Sequence, residues 1–139
     1  MKTWIKVSLF VVFFVALAGI LGALYLYNLK AEDMSKAIPD FKISATLLQK
    51  EFEDNESAAS SKYTKKVIEV TGIIASVMPA ENNILNITLT TGNGLSSVIC
   101  TLPAISDVSV FHPGKEITLR GECSGFLMDV LLNNCAVIK

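Results

Sequence analysis

Residues 85–102 read LNITLTTGNGLSSVICTL, and the reading of this stretch decides the fold. Leu85, Ile87 and Leu89 alternate with Asn86, Thr88 and Thr90. A period of two places apolar side chains on one face of a strand and polar ones on the other. Thr91-Gly92-Asn93-Gly94 supplies the residues of a tight hairpin. Val98, Cys100 and Leu102 then alternate with Ser97, Ile99 and Thr101, so a second strand returns beside the first.

The same period extends outward in both directions. Towards the N-terminus, Ile68, Val70, Gly72 and Ile74 alternate with Val67, Glu69, Thr71 and Ile73. A glycine inside a strand marks a bend, and Gly72 is expected to let this strand curl. Met78 to Asn83, with Pro79 and a double Asn, reads as a turn. Towards the C-terminus, Pro103 to Pro113 is irregular; Ile117, Leu119, Gly121 and Cys123 then alternate with Thr118, Arg120 and Glu122. A turn near Ser124 to Met128 precedes a last strand, Asp129 to Ile138. Five short strands with a gap between the third and fourth is the order of the OB-fold, a small Greek-key barrel.

Ahead of the barrel, Ser44 is placed to cap a helix, and Leu47, Leu48, Phe52, Ala59 and Tyr63 recur at helical spacing. Lys50, Glu51, Glu53, Asp54 and Glu56 fall on the other faces, so one amphipathic helix of about five turns is expected. Its apolar stripe would cover the barrel. Residues 30–43 read as a linker, in which Pro39 stops any continuing helix. The expected fold class is mainly β: a five-stranded barrel preceded by an amphipathic helix and an N-terminal transmembrane helix. The domain plan is an anchor over 1–29, the linker over 30–43, and the helix with its barrel over 44–139.

The anchor rests on residues 7–27, which carry no charge and are rich in Val, Phe, Leu and Ala. About 20 apolar helical residues cross a hydrocarbon core of ~30 Å. Trp4 at one end and Tyr25 and Tyr27 at the other suit the two interfaces. Lys2 and Lys6 precede the segment, whereas Lys30 is followed at once by Glu32 and Asp33. The positive-inside bias then predicts a single-pass protein of a bacterial inner membrane, its N-terminus cytoplasmic and its C-terminal domain periplasmic. The rival is a signal peptide cut after Ala16-Leu17-Ala18, which would leave the very apolar Gly19 to Leu29 as a new N-terminus. A lipid anchor would need a Cys where Ile20 stands.

All thirteen acidic residues follow this segment, against ten of the twelve basic ones, a net charge of −3. Nucleic-acid backbones call for a basic stripe, which is missing. Cys100, Cys123 and Cys135 all lie in the barrel. They lack Cys-x-x-Cys spacing, and the single His, His112, sits in the turn-like Phe-His-Pro-Gly, so no zinc site is expected. Two readings stand for the thiols: a Cys123–Cys135 disulfide with one thiol left over, or three small buried hydrophobes.

Leu48, Phe52, Asn55-Glu56, Ala59, Tyr63, Lys66, Val70 and Gly72 form a pattern that continues with Val98-x-Cys100. It runs on through Gly114-Lys115-x-Ile117-Thr118-Leu119-x-Gly121-x-Cys123-x-Gly125 and ends with Asp129-Val130-x-Leu132-x-x-Cys135. From Ser44 onward the chain thereby resembles the tRNA_anti-like family, met in Bacteroidetes-type bacteria. The resemblance implies an OB-fold similar to the anticodon-binding domains of tRNA synthetases. Fold does not carry activity. Between Lys66 and Leu102 there is no Phe, Tyr or Trp on which a base could stack, so tRNA binding is not expected.

The functional expectation is a non-enzymatic binding module tethered to membrane lipid through residues 7–27. The alternative is a scaffold subunit of an envelope complex, docking through its helix or anchor. OB barrels bind on the face of their second and third strands. That face here would display Asn86, Thr88, Thr90, Ser97, Ile99 and Thr101 to a protein, peptide or glycan. No catalytic group, metal ligand or cofactor is expected.

Overall fold

The computed structural model describes residues 1–28, 33–92, 94–103 and 108–138, which fall into two units, one on either side of residues 31 and 32. The first is helix α1, Lys2–Asn28. Leu9, Phe10, Val11, Val12, Phe13, Phe14 and Val15 are all exposed, so the helix is apolar on every face. Its span from Lys2 to Tyr27 is 26 residues, about 39 Å at the helical rise. Such a helix suits a membrane span, as it suits a signal sequence.

The second unit runs β1 (Phe41–Ser44), α2 (Ala45–Asp54), α3 (Glu56–Tyr63), β2 (Val67–Pro79), β3 (Leu85–Thr90), β4 (Ser97–Leu102), β5 (Glu116–Leu127) and β6 (Asp129–Ile138). β2, β3 and β4 form an antiparallel meander. β4 then meets β6 in parallel, β6 pairs antiparallel with β5, and β5 returns antiparallel to β2. The five strands expected from the alternation are present, and the β2–β5 pairing closes them into a ring. Its interior is filled by Ile68, Val70, Leu85, Ile87, Leu89, Val98, Cys100, Leu102, Leu119, Cys123, Val130 and Leu132, none more than 1% exposed. Leu48, Phe52 and Tyr63 join this core from α2 and α3.

Gly72 has two tasks. It lies near the point where β2 changes partner, from β5 up to Ile73 to β3 from Ile73 onward. A Cβ there would also stand 2.9 Å from the Ala45 Cβ and 3.3 Å from the Leu89 Cβ. The first turn of α2 thus packs directly on the bend. The turn before β3 uses Asn82 and Asn83 at φ 60° and 59°, a left-handed conformation that asparagine tolerates well.

Two expectations are corrected. The single helix is two, because Asn55 is extended (φ −158°, ψ 90°). Its backbone N–H closes α2 onto Glu51, and its side-chain oxygen accepts from the Ala58 N–H at 3.1 Å to open α3. Asparagine competes well for both roles because its short amide reaches neighbouring backbone. Ser44 does cap α2, accepting from the Leu47 N–H. Leu47 is 48% exposed, however, and Gln49 is buried instead.

The linker is also more than a linker. Phe41–Ser44 adds a parallel strand to β2 outside the ring, a sixth strand among the described residues. Asp40 and Val67 bond reciprocally: the Asp40 N–H donates to the Val67 carbonyl, and the Val67 N–H to the Asp40 carboxylate. Met34 and Ala37 are buried. Arg120 holds this segment, with Nη1 donating to the carbonyls of Ala37 (2.6 Å), Met34 and Ser35 (each 3.3 Å). Its Nη2 meets Glu69 at 2.7 Å, where both side chains are less than 15% exposed.

Arg120→Ala would strand a half-buried carboxylate and three carbonyls, with an expected loss of about 2–4 kcal/mol in urea unfolding. Lys42, 70% exposed and 3.8 Å from the same Glu69, should give less than about 0.5 kcal/mol when changed to Ala. Asn55→Ala should cost about 1 kcal/mol through the lost cap.

Candidate functional site

The six residues expected to form a binding face do share one face. They make three cross-strand pairs, Asn86 with Thr101, Thr88 with Ile99, and Thr90 with Ser97. Thr90 is exposed and the other five are half-buried. Much of their polar capacity is used internally. The Thr101 hydroxyl donates to the Asn86 Oδ1 at 3.0 Å. The Ser97 N–H and hydroxyl both donate to the Asp129 Oδ1, at 2.7 and 2.8 Å. This last contact ties the start of β4 to the start of β6. A concavity of about 220 Å³ touches the face at Thr90 and Ser97.

A larger concavity, about 670 Å³, lies elsewhere on the barrel domain, lined by Glu53, Glu56, Leu95, Ser96, Phe126, Leu127 and Met128. Three elements build it: the end of α2 with the start of α3, the β3–β4 turn, and the β5–β6 hairpin. Phe126 stacks on the buried Phe52, with ring centroids 5.4 Å apart and planes 19° from parallel. The hairpin then turns on Met128 at φ 67°. Leu95, Leu127 and Met128 are 85%, 79% and 77% exposed. Large apolar side chains gathered at turn tips in this way mark contact surfaces more often than folding requirements.

The rim is acidic. Glu53 accepts from the Ser96 hydroxyl at 2.7 Å and from the Gln49 side-chain amide, which also reaches Ser96. This network fixes the β3–β4 turn against α2. Glu56 sits in the first turn of α3, where the helix dipole favours a negative charge. Nearby, Glu51 accepts from the Tyr63 hydroxyl at 2.7 Å and from Lys62 at 3.0 Å. Those bonds hold its carboxyl below the usual range, whereas burial first of all pushes the Tyr63 phenol up.

Sequence reasoning missed this groove because Leu95 lies in the β3–β4 turn, and Leu127 and Met128 at the tip of the β5–β6 hairpin, outside any periodic pattern. The available signal was three bulky apolar residues where turn chemistry asks for none. Of the two readings of the cysteines, three small buried side chains is the one this structure displays. All three cysteines are buried free thiols. Cys123 faces Leu132 across β5 and β6, and the Cys135 thiol donates to the Leu132 carbonyl at 3.4 Å. The expected turn at Ser124 to Met128 narrows to Met128, because β5 continues to Leu127. Among the described residues, no group of three His, Cys, Asp or Glu side chains could hold a metal ion.

A closed five-stranded OB-like barrel behind an N-terminal apolar helix defines the class of protein. The chain belongs to the tRNA_anti-like family, whose model matches residues 1–137 and so takes in α1 as well as the barrel. Among curated proteins none matches. A solved structure of similar fold is a lipoprotein of Klebsiella pneumoniae subsp. pneumoniae, provisionally described as nucleic acid-binding. It has a TM-score of 0.58 and 20% identity, over 70% of this chain and 91% of that one. A provisionally assigned aspartyl-tRNA synthetase of Leishmania major gives a TM-score of 0.42 at 11% identity, over 85% of this chain and 26% of that one. At 20% identity the likeness to the lipoprotein is one of fold.

If the Ser97–Asp129 contact is structural, Asp129→Ala leaves the Ser97 N–H and hydroxyl without their acceptor. The expected cost is about 1–3 kcal/mol in chemical denaturation. Thr88→Ala, outside that contact, should change stability by less than about 0.5 kcal/mol.

Proposed function

We propose that this chain is a non-enzymatic binding module, held in a bacterial inner membrane by α1 with its barrel in the periplasm. Its groove at Leu95, Phe126, Leu127 and Met128 takes an apolar protein segment that carries basic residues. The observation behind this reading is the exposed apolar surface beside Glu53 and Glu56. Apolar walls supply the gain from desolvation. The carboxylates select for Lys or Arg beside the apolar anchor. They also oppose the negative surface of an anionic leaflet, which favours a peptide over lipid as the occupant.

The same charges weigh against nucleic acid, the partner provisionally assigned to the Klebsiella lipoprotein. Phosphate binding draws on uncompensated Lys and Arg. Beyond residue 27 thirteen acidic residues face ten basic ones, and five of the ten, Lys36, Lys42, Lys50, Lys62 and Arg120, are each paired with a carboxylate. The β3–β4 face has neither an aromatic nor a basic side chain. Among the described residues, neither of the two concavities is lined by histidine, and the thiols are buried, which favours binding over catalysis.

Two measurements test this reading. In spheroplasts, added protease should cleave the barrel domain, and protection of that domain would refute the periplasmic placement. In lipid nanodiscs, the full chain should bind a synthetic peptide of alternating leucine and lysine in preference to one of leucine and glutamate. The double change Leu127→Ser with Met128→Ser should weaken that binding by at least about tenfold. Equal binding of both peptides, or preference for single-stranded DNA, would reject the groove as described. Binding that survives in residues 33–139 alone supports a module, and binding only with α1 present supports a scaffold.

A further inference from the structure

The groove at the β5–β6 hairpin has a neighbour. The concavity of about 220 Å³ at the start of β4 shares Leu95 and Ser96 with the larger one. Leu95, 85% exposed, therefore stands between the two. The hairpin crosses the same divide, with Met128 lining the larger concavity and Asp129 the smaller. Their walls differ. The larger is apolar at Leu95, Phe126, Leu127 and Met128. Leu95 apart, the smaller has short side chains, such as Ala75, Thr90 and Ser97, beside the Asp129 carboxylate.

Each concavity holds a carboxylate that is pinned by one oxygen. The Asp129 Oδ1 accepts from the Ser97 N–H and hydroxyl, and its Oδ2 has no partner among the described residues. The Glu53 Oε1 accepts from the Ser96 hydroxyl and the Gln49 amide, and its Oε2 likewise has none among them. An acceptor already fixed by its neighbours loses little freedom when a cation binds it. No Lys or Arg lines either concavity to compete for the free oxygens. Because consecutive serines hold them, the two carboxylates are no more than roughly 14 Å apart. In an extended chain that distance covers about four residues.

We propose that the occupant is an extended peptide lying across Leu95, with an apolar side chain in the larger concavity between two basic ones. One basic side chain meets Glu53 and Glu56, and the other meets Asp129, no more than about four residues away along the peptide. The proposal rests on the groove's reading as a peptide site and adds the second charge and its spacing. Asp129 is then a specificity-determining residue. A peptide with a single basic residue satisfies one concavity and leaves the other empty.

The test uses the full chain in nanodiscs and synthetic peptides built on a leucine pair. The pair is flanked by lysine on both sides, or by lysine on one side and glutamine on the other. The two-lysine peptide should bind about three- to tenfold more tightly than either one-lysine peptide. Setting the lysines about eight residues apart should remove that advantage. Asp129→Asn keeps an oxygen for the Ser97 N–H and hydroxyl but loses the charge, and its urea midpoint checks that the domain is intact. It should bind the two-lysine peptide no better than a one-lysine peptide. An advantage that is absent in the wild type, indifferent to spacing, or intact in folded Asp129→Asn would overturn the second contact. If the one-lysine peptide still binds and is weakened by Leu127→Ser with Met128→Ser, the groove reading stands while this one falls. If no leucine–lysine peptide binds, both fall.

Discussion

Closing a ring of five short strands requires one strand to serve two neighbours in succession, and here that strand is β2. Its first half is held by β5 and its second half by β3, with the exchange at Ile73. A straight strand cannot do this, because the two partners lie on different sides of the barrel. The bend needs a position without a side chain and a helix to seal the inside of the corner. Gly72 provides the first, and Ala45, the opening residue of α2, lies against it. The rest of the domain follows from that corner. α2 must start there, so β1 must run alongside β2 to deliver the chain, and Arg120 is then placed to grip the segment that precedes β1.

This dependence explains what could be read from the chain. The alternations at 85–90 and 97–102 are local, and the strands formed within those limits. Each has one face in a dry interior, which leaves a period of two in the sequence. β1 left no such mark. Four residues, Phe-Lys-Ile-Ser, are too few for a period, and their strand exists because β2 offers an open edge. The break at Asn55 was equally hidden, since Leu48, Phe52, Ala59 and Tyr63 are all buried and the apolar pattern continues through it. A capping residue inside an unbroken stripe reads as a surface position of one helix. Only three-dimensional packing separates the two cases.

The candidate site was less legible than the fold for a related reason. Periodicity reports which side chains face the core, and it is silent about residues in turns. It correctly placed Asn86, Thr88, Thr90, Ser97, Ile99 and Thr101 on one outer face. It could not show that Ser97 is committed to Asp129, or that Leu95 is brought beside Leu127 and Met128. Those juxtapositions depend on how β4 and β6 meet, a contact between segments separated by some thirty residues.

The two halves of the molecule therefore use apolar surface in opposite ways. In α1 it is uniform around the helix, so it can favour a medium but not a particular partner. At the β5–β6 hairpin it is confined to a few side chains beside two carboxylates, so shape and charge can both discriminate. A surface of that kind is useful only if it is kept from collapsing onto its own barrel. The Phe126–Phe52 stack fixes its floor, and the Gln49–Glu53–Ser96 network fixes its wall. The same hydrogen bonds brace the β3–β4 turn against α2 and hold Glu53 and Ser96 in the wall of the groove.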